Sequence, residues 1–258
     1  AAWRAISNLS RVTPIVLAYV NVVLGLGIAV VLFVTRVVHG LAPGWVCSVA
    51  RRLRWRYLLA CLVAALVTMI VVVAISSLLP QAAAQSGLDA GPNAFTAESL
   101  KFLLVIALLT PLQAAGEEFV YRGYLTQAFG GVFGGKVGQV LAVAGPALVF
   151  ALAHGQQDLP IFIDRLAFGA IAGVLVIRTG GLEAGIAMHV INNWVALGIG
   201  VLFGDMSAIL QPQGGDWTTI VVTAVQSSMY LALALWVAKV MGVQRLASAE
   251  LVAPNGRV

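Results

Sequence analysis

The chain has 258 residues, of which 60% are hydrophobic and only 10% charged, and a formal net charge of +5; its mean hydropathy is +0.97. Soluble domains carry about 25% charged residues, so this composition excludes a soluble globular protein and defines a polytopic all-α membrane protein with room for one large domain. The positive charge does not imply nucleic-acid binding, because most basic residues flank apolar segments, where membrane topology accounts for them.

Apolar segments of about 20 residues cross a bilayer as helices. Seven are read in chain order: Pro14–Val38, Arg56–Leu79, Glu98–Gln127, Val137–His154, Pro160–Arg178, Gly181–Phe203 and Trp217–Met241. An eighth span, before Pro14, stays open; that stretch, with Trp3, Arg4 and Arg11, otherwise reads as interfacial. The first apolar run is too long for a signal-peptide core and carries no cleavage pattern. Cys47 and Cys61 lie near or inside membrane segments, which argues against a structural disulfide or metal cluster.

Between the first two spans, Leu41–Arg56 interleaves Arg51, Arg52, Arg54 and Arg56 with Trp45, Val49, Leu53 and Trp55. This predicts a basic interfacial helix or, more simply, a topology signal, and either reading places the loop in the cytoplasm. The later loops alternate in sign. Asp89, Asp158, Asp205 and Asp216 fall on one side, and Lys136, Arg178, Lys239 and Arg245 on the other. The expectation is an integral protein of a bacterial inner membrane with a cytoplasmic C-terminus. Gly169/Gly173, Gly181/Gly185 and Gly200/Gly204 have the small-xxx-small spacing of closely packed helices and are read as packing within the bundle.

The segment Gly116-Glu117-Glu118-Phe119-Val120-Tyr121-Arg122-Gly123 ends a long apolar run, Leu103–Ala115. Charged groups at bilayer depth are costly and usually functional. At 100° per residue, Glu118 and Arg122 lie about 40° apart on one helix face and can pair, whereas Glu117 points about 140° away from Arg122. One carboxylate is thus neutralised and one stays available for base chemistry. Of three histidines, His39 borders the basic loop and reads as solvated or interfacial. His154 closes Phe150-Ala151-Leu152-Ala153-His154, and His189 opens His189-Val190-Ile191-Asn192-Asn193, with Asn193 one turn on along the same face. Polar groups in a bilayer need partners within the protein. Two buried histidines and a glutamate pair in three spans point to one shared polar centre.

The pattern Glu117-Glu118-x-x-x-Arg122, Phe150-x-x-x-His154, His189-x-x-x-Asn193 resembles the CAAX protease and bacteriocin-processing (CPBP, Abi) family of intramembrane endopeptidases, over roughly Leu103–Gly200. The resemblance implies that Glu117 is a general base activating water, with His154 helping to hold or deprotonate it. His189 and Asn193 would stabilise the oxyanion, and Glu118, Arg122 and Phe150 would orient the site. No cofactor is favoured. A zinc form would use Glu117, His154 and His189 as ligands, although no H-E-x-x-H pair is present. The implied partners are a peptide or membrane-protein substrate and membrane lipids. Two other readings remain: a catalytically silent scaffold or immunity protein, and a proton- or ion-coupled transporter. Asp164-Arg165 fits the transporter weakly and is better read as a structural ion pair or as interhelical contacts.

The chain divides into residues 1–98, with no matched motif, a catalytic membrane core at 99–204, and a C-terminal span and tail at 205–258. One difficulty of depth remains. Counted from a turn near Gly131, Glu117 and His154 lie about 14 and about 23 residues away, a mismatch on the order of 13 Å for straight helices. Tilt, extension of the third helix beyond the membrane, or a kink or break at Gly145-Pro146 would reduce it; the length of the third span itself is read as tilt, a kink near Pro111 or continuation out of the membrane.

Overall fold

A computed structural model describes residues 12–76, 91–210, 214–215 and 217–248, without the side chains of Thr218 and Thr219. The segment before residue 12, the end of the second predicted span at Leu79, most of the loop after it and the end of the C-terminal tail lie outside these residues. The helices are α1 (Pro14–Gly25), α2 (Gly27–Val37), α3 (Gly44–Cys47), α4 (Trp55–Ser76), α5 (Ala97–Glu118), a π-helical segment (Phe119–Leu125), α6 (Thr126–Val132), α7 (Gly135–Ala153), α8 (Leu159–Thr179), α9 (Glu183–Phe203), α10 (Met206–Leu210) and α11 (Trp217–Val240). Among the described residues, seven helical runs are long and apolar enough to span a membrane, Pro14–Val37 and Ala97–Val132 each combining several elements. The protein is an all-α polytopic membrane bundle.

Local chemistry sets the helix ends. Thr13 caps α1, with Pro14 at its first turn, and Thr96 and Ser99 form a capping box on α5. Asp158 caps α8, and Gly180, at φ +70°, closes it. Loops gather at two ends, as antiparallel spans require. At one end the Val49 amide donates to the Gly180 carbonyl, and Arg54 reaches the Gln244 carbonyl. At the other, Asn93 donates to the carbonyls of Val201 and Gly204, and the Gly215 amide donates to Asp158.

Helix α9 is the central post, packed on α4, α5 and α8. It can be approached closely because Ala184, Gly185 and Ala187 are small and buried. Of the glycines in the expected pairs, Gly169, Gly173, Gly185 and Gly200 lie against other helices or side chains of the bundle, whereas Gly204 meets only Gly200. A Cβ on Gly169 would meet Ala147, on Gly173 Val143, on Gly185 Glu118, and on Gly200 Ile209.

The basic loop is not an interfacial helix. Helicity ahead of α4 is confined to Gly44–Cys47. Ser48 then pairs with Gly181 in an isolated bridge, and Arg51 adopts φ +59°. The loop folds down onto the α8–α9 turn because Arg54 has a buried partner. Its backbone amide and Nε each donate to Glu183 Oε1 at 2.8 Å, and Nη1 donates to the Thr179 and Gln244 carbonyls. This ion pair staples three separate segments. Both cysteines are free. Burial, and then the Glu183 charge, push the nearby Cys47 thiol up to about 11, so it stays protonated at neutral pH.

The depth difficulty disappears in the α5–α7 register. Gly130 meets Ala142, Phe129 meets Gly145, and Arg122 lies over Phe150; each pair is centred on residue 136 or 137, not on Gly131. Continued at that register, His154 falls opposite Glu118. The helices run through Pro111 and Pro146 without a break. Of the possibilities that would reduce the mismatch, the structure shows the long helix. The Ala97–Val132 run has 36 residues, about 54 Å against a hydrocarbon core of about 30 Å.

Two stability changes are expected. A Cβ on Gly116 would lie 2.2 Å from the Leu24 carbonyl oxygen, so Gly116→Ala lowers stability by about 1–3 kcal/mol. Arg54→Ala leaves Glu183 charged, buried and unpaired, at a cost of about 3–5 kcal/mol. Unfolding in mixed micelles measures both, and a change below about 0.5 kcal/mol in either contradicts the packing described.

Candidate active site

The polar centre lies between α5, α7 and α9. Glu118 and Arg122 pair as their spacing predicts, Nη1 to Oε1 at 3.0 Å, with both side chains wholly buried. The Arg122 guanidinium also lies 4.4 Å from the centroid of the Phe150 ring. Its Nε and Nη2 have no hydrogen-bond acceptor, so the ring face offsets part of that loss.

His189 joins the two carboxylates. Its Nδ1 is 2.9 Å from Glu118 Oε1, and its Nε2 is 3.2 Å from Glu117 Oε2. Glu117 is therefore turned away from Arg122, as the helical count requires, but it is not without partners. Gln113, one turn earlier on α5, donates Nε2–H to Glu117 Oε2 at 2.7 Å. Asn193 donates Nδ2–H to Gln113 Oε1 at 3.0 Å. Asn193, not Asn192, thus reaches the centre. A carboxylate only accepts, so Gln113 has its amide nitrogen toward Glu117 and its oxygen toward Asn193. That orientation presents the Asn193 nitrogen, with a second N–H still available.

His154 sits at the C-terminal end of α7. Its Nδ1 is 2.7 Å from the Phe150 carbonyl oxygen. A carbonyl cannot donate, so Nδ1 carries the proton and, in the neutral ring, Nε2 is an open acceptor. Phe150 separates the two imidazoles, edge-on to both at centroid distances of 4.6 and 6.0 Å, and Tyr121 and Phe168 pack against it. His39, as expected, stands apart and exposed, bonded to Tyr124 at 3.0 Å.

The structure therefore brings together Glu117, Glu118, Arg122, Phe150, His189 and Asn193, and sets His154 across the Phe150 ring. Among the described residues, no three His, Cys, Asp or Glu side chains are grouped so that they could hold one metal ion. Gln113 went unnoticed in the sequence. Its signal was available: an amide inside an apolar run, one turn before Glu117. The π-helical segment carried no such signal. Of the two readings of Asp164-Arg165, an ion pair or interhelical contacts, the structure shows an interhelical contact. Asp164 hydrogen-bonds Thr223 on α11, and Arg165 bonds Gln157.

A helical membrane bundle that buries carboxylates, imidazoles and amides as one hydrogen-bonded cluster has the makings of an intramembrane hydrolase. Residues 98–195 match the family of type II CAAX prenyl endopeptidases, Rce1-like, and this core of the chain is similar to that family. The chain is also similar to YyaK, a protein of Bacillus subtilis (strain 168) described as uncharacterized, with 28% identity over 152 residues, 55% of this chain and 50% of that protein. The chain thus spans about half the length of this curated relative. No solved structure matches.

A Cβ on Gly185 would lie 2.7 Å from Glu118 Oε2. Gly185→Ala is expected to displace that carboxylate and weaken the Glu118–His189 contact. Side-chain nitrogen resonances of labelled His189 measure this, and an unchanged spectrum contradicts the geometry.

Proposed function

We propose that the protein is an intramembrane endopeptidase that hydrolyses a peptide bond near the C-terminus, or in the membrane-proximal part, of a peptide or membrane-protein substrate. The observation that carries this reading is the chain of hydrogen bonds Asn193–Gln113–Glu117–His189–Glu118–Arg122. It leaves one carboxylate held by neutral or shared donors while the other is committed to an arginine. The similarity of residues 98–195 to the Rce1-like family agrees with it.

Glu117 is the general base. It takes a proton from a water that attacks the scissile carbonyl carbon, then delivers that proton to the leaving amine nitrogen. The open Nε2 of His154 steers the water. Both His189 nitrogens face carboxylates at rest, so His189 first serves to hold Glu117. Once Glu117 is protonated it no longer needs that hydrogen bond, and the Nε2–H turns to the oxyanion beside the second N–H of Asn193. In a dry site such donors lower the barrier by several kcal/mol. No metal is required by this scheme. The end of the bundle bearing Arg51, Arg54, Lys136 and Arg245 faces the cytoplasm, in the plasma membrane of a bacterium.

Glu117→Gln is expected to reduce turnover about 10²–10⁴-fold, and Asn193→Ala about 10²–10³-fold, with both proteins remaining folded. Mass spectrometry of a lysate treated with purified enzyme identifies the cleaved peptides. Full cleavage by Glu117→Gln overturns the proposal, and ion flux into liposomes would favour a transporter. Inhibition by a chelator, reversed by zinc, would replace the metal-free mechanism.

A further inference from the structure

Helix α11 is largely apolar, but Thr223, Gln226, Ser227 and Tyr230 follow one another at helical spacing and share one face. That face turns into the bundle. Thr223 hydrogen-bonds Asp164 on α8, and the Tyr230 hydroxyl donates to the Ala184 carbonyl on α9 at 2.7 Å. Ser227 and Tyr230 are both buried. Polar groups at bilayer depth need partners inside the protein. The two ends of this stripe have theirs, and its middle faces a small cavity.

The cavity lies between α4, α9 and α11 and has a volume of about 10 Å³. Thr68, Gln226, Ser227 and Tyr230 form its polar side, and Met69 and Met188 are among its apolar walls. Thr68, on α4, is only 2% exposed, and its Oγ1 has no hydrogen-bond partner. A hydroxyl left unpaired in such a place is costly. Met188 reaches the cavity from a point about 100° around α9 from His189. The cavity is therefore behind the polar centre and separate from it.

Size and chemistry together select the occupant. One water needs about 10–15 Å³ of room and two to four polar partners. A lipid headgroup or a peptide is far too large. No charged side chain lines the cavity, so a bare cation there would have no neutralising partner. A water, in contrast, donates or accepts as each hydroxyl or amide requires.

We propose that one water molecule occupies this cavity, bonded to Thr68 Oγ1 and to Ser227 and Gln226, and that it ties α11 to α4 behind the catalytic helix. The inference is independent of the endopeptidase reading.

Two experiments on the full chain test it. The first is a crystal structure, from crystals grown in lipid, at a resolution that shows ordered water. A single density peak is expected within hydrogen-bond distance of Thr68 Oγ1 and of Ser227 or Gln226. An empty cavity, or one filled by a lipid or detergent chain, overturns the proposal. The second is unfolding of Thr68→Val in mixed micelles, where the sign decides. Valine has nearly the shape of threonine, so in a dry cavity it removes an unpaired hydroxyl and the protein becomes no less stable. With the water present it removes one of that water's partners, and the unfolding equilibrium constant is expected to rise about fivefold. An unchanged or lowered constant overturns the proposal. Thr68→Ser, which keeps the hydroxyl, is expected to keep the density peak; its loss in that variant also overturns the proposal. Thr68→Val combined with Ser227→Ala is expected to lose less than the product of the separate effects, because one water serves both side chains. A full product counts against the shared water and overturns it.

Discussion

A bilayer offers no water to an ionised side chain, and this one constraint organises the molecule. Glu118 and Arg122 are both fully buried; neither could remain charged there alone. Arg122 neutralises Glu118, Glu118 fixes one nitrogen of His189, and His189 faces Glu117 with the other. The rest of the bundle serves that cluster. Helix α9 is lined with small residues so that Gly185 can lie against Glu118, and Phe150 closes the remaining side with a ring rather than with solvent.

The second buried ion pair, Arg54 with Glu183, follows the same rule six residues earlier on α9. It ties the basic loop and the C-terminal tail to the end of the helix that carries His189 and Asn193. What reads in sequence as a surface feature, a run of arginines beside tryptophans, is therefore partly internal. Arg54 alone turns inward, and that choice depends on an acid 129 residues away.

Much of this was legible beforehand, for physical reasons. Membrane spans are the strongest signal a sequence carries, because every backbone group must be satisfied within its own helix. The Glu118–Arg122 pair and the separate facing of Glu117 follow from helical spacing alone. What escaped depends on distant partners: the collapse of the predicted interfacial helix onto Gly181, the inward turn of Arg54, and the α5–α7 register. The turn near Gly131 was a poor origin for counting depth, since the hairpin packs Gly138 against Phe133 and shifts the crossing. Gln113 was hidden differently. A neutral amide among leucines looks incidental until its two partners are in place.

The direction of the amide chain has one more effect. Its hydrogen bonds run one way, from Asn193 to the Gln113 oxygen and from the Gln113 nitrogen to Glu117, so spare donating capacity is left at Asn193, while spare accepting capacity is left at the His154 ring. The two ends of the cluster are therefore unlike: on the endopeptidase reading, a peptide group lying between them would be held with its oxygen toward Asn193 and its N–H toward His154.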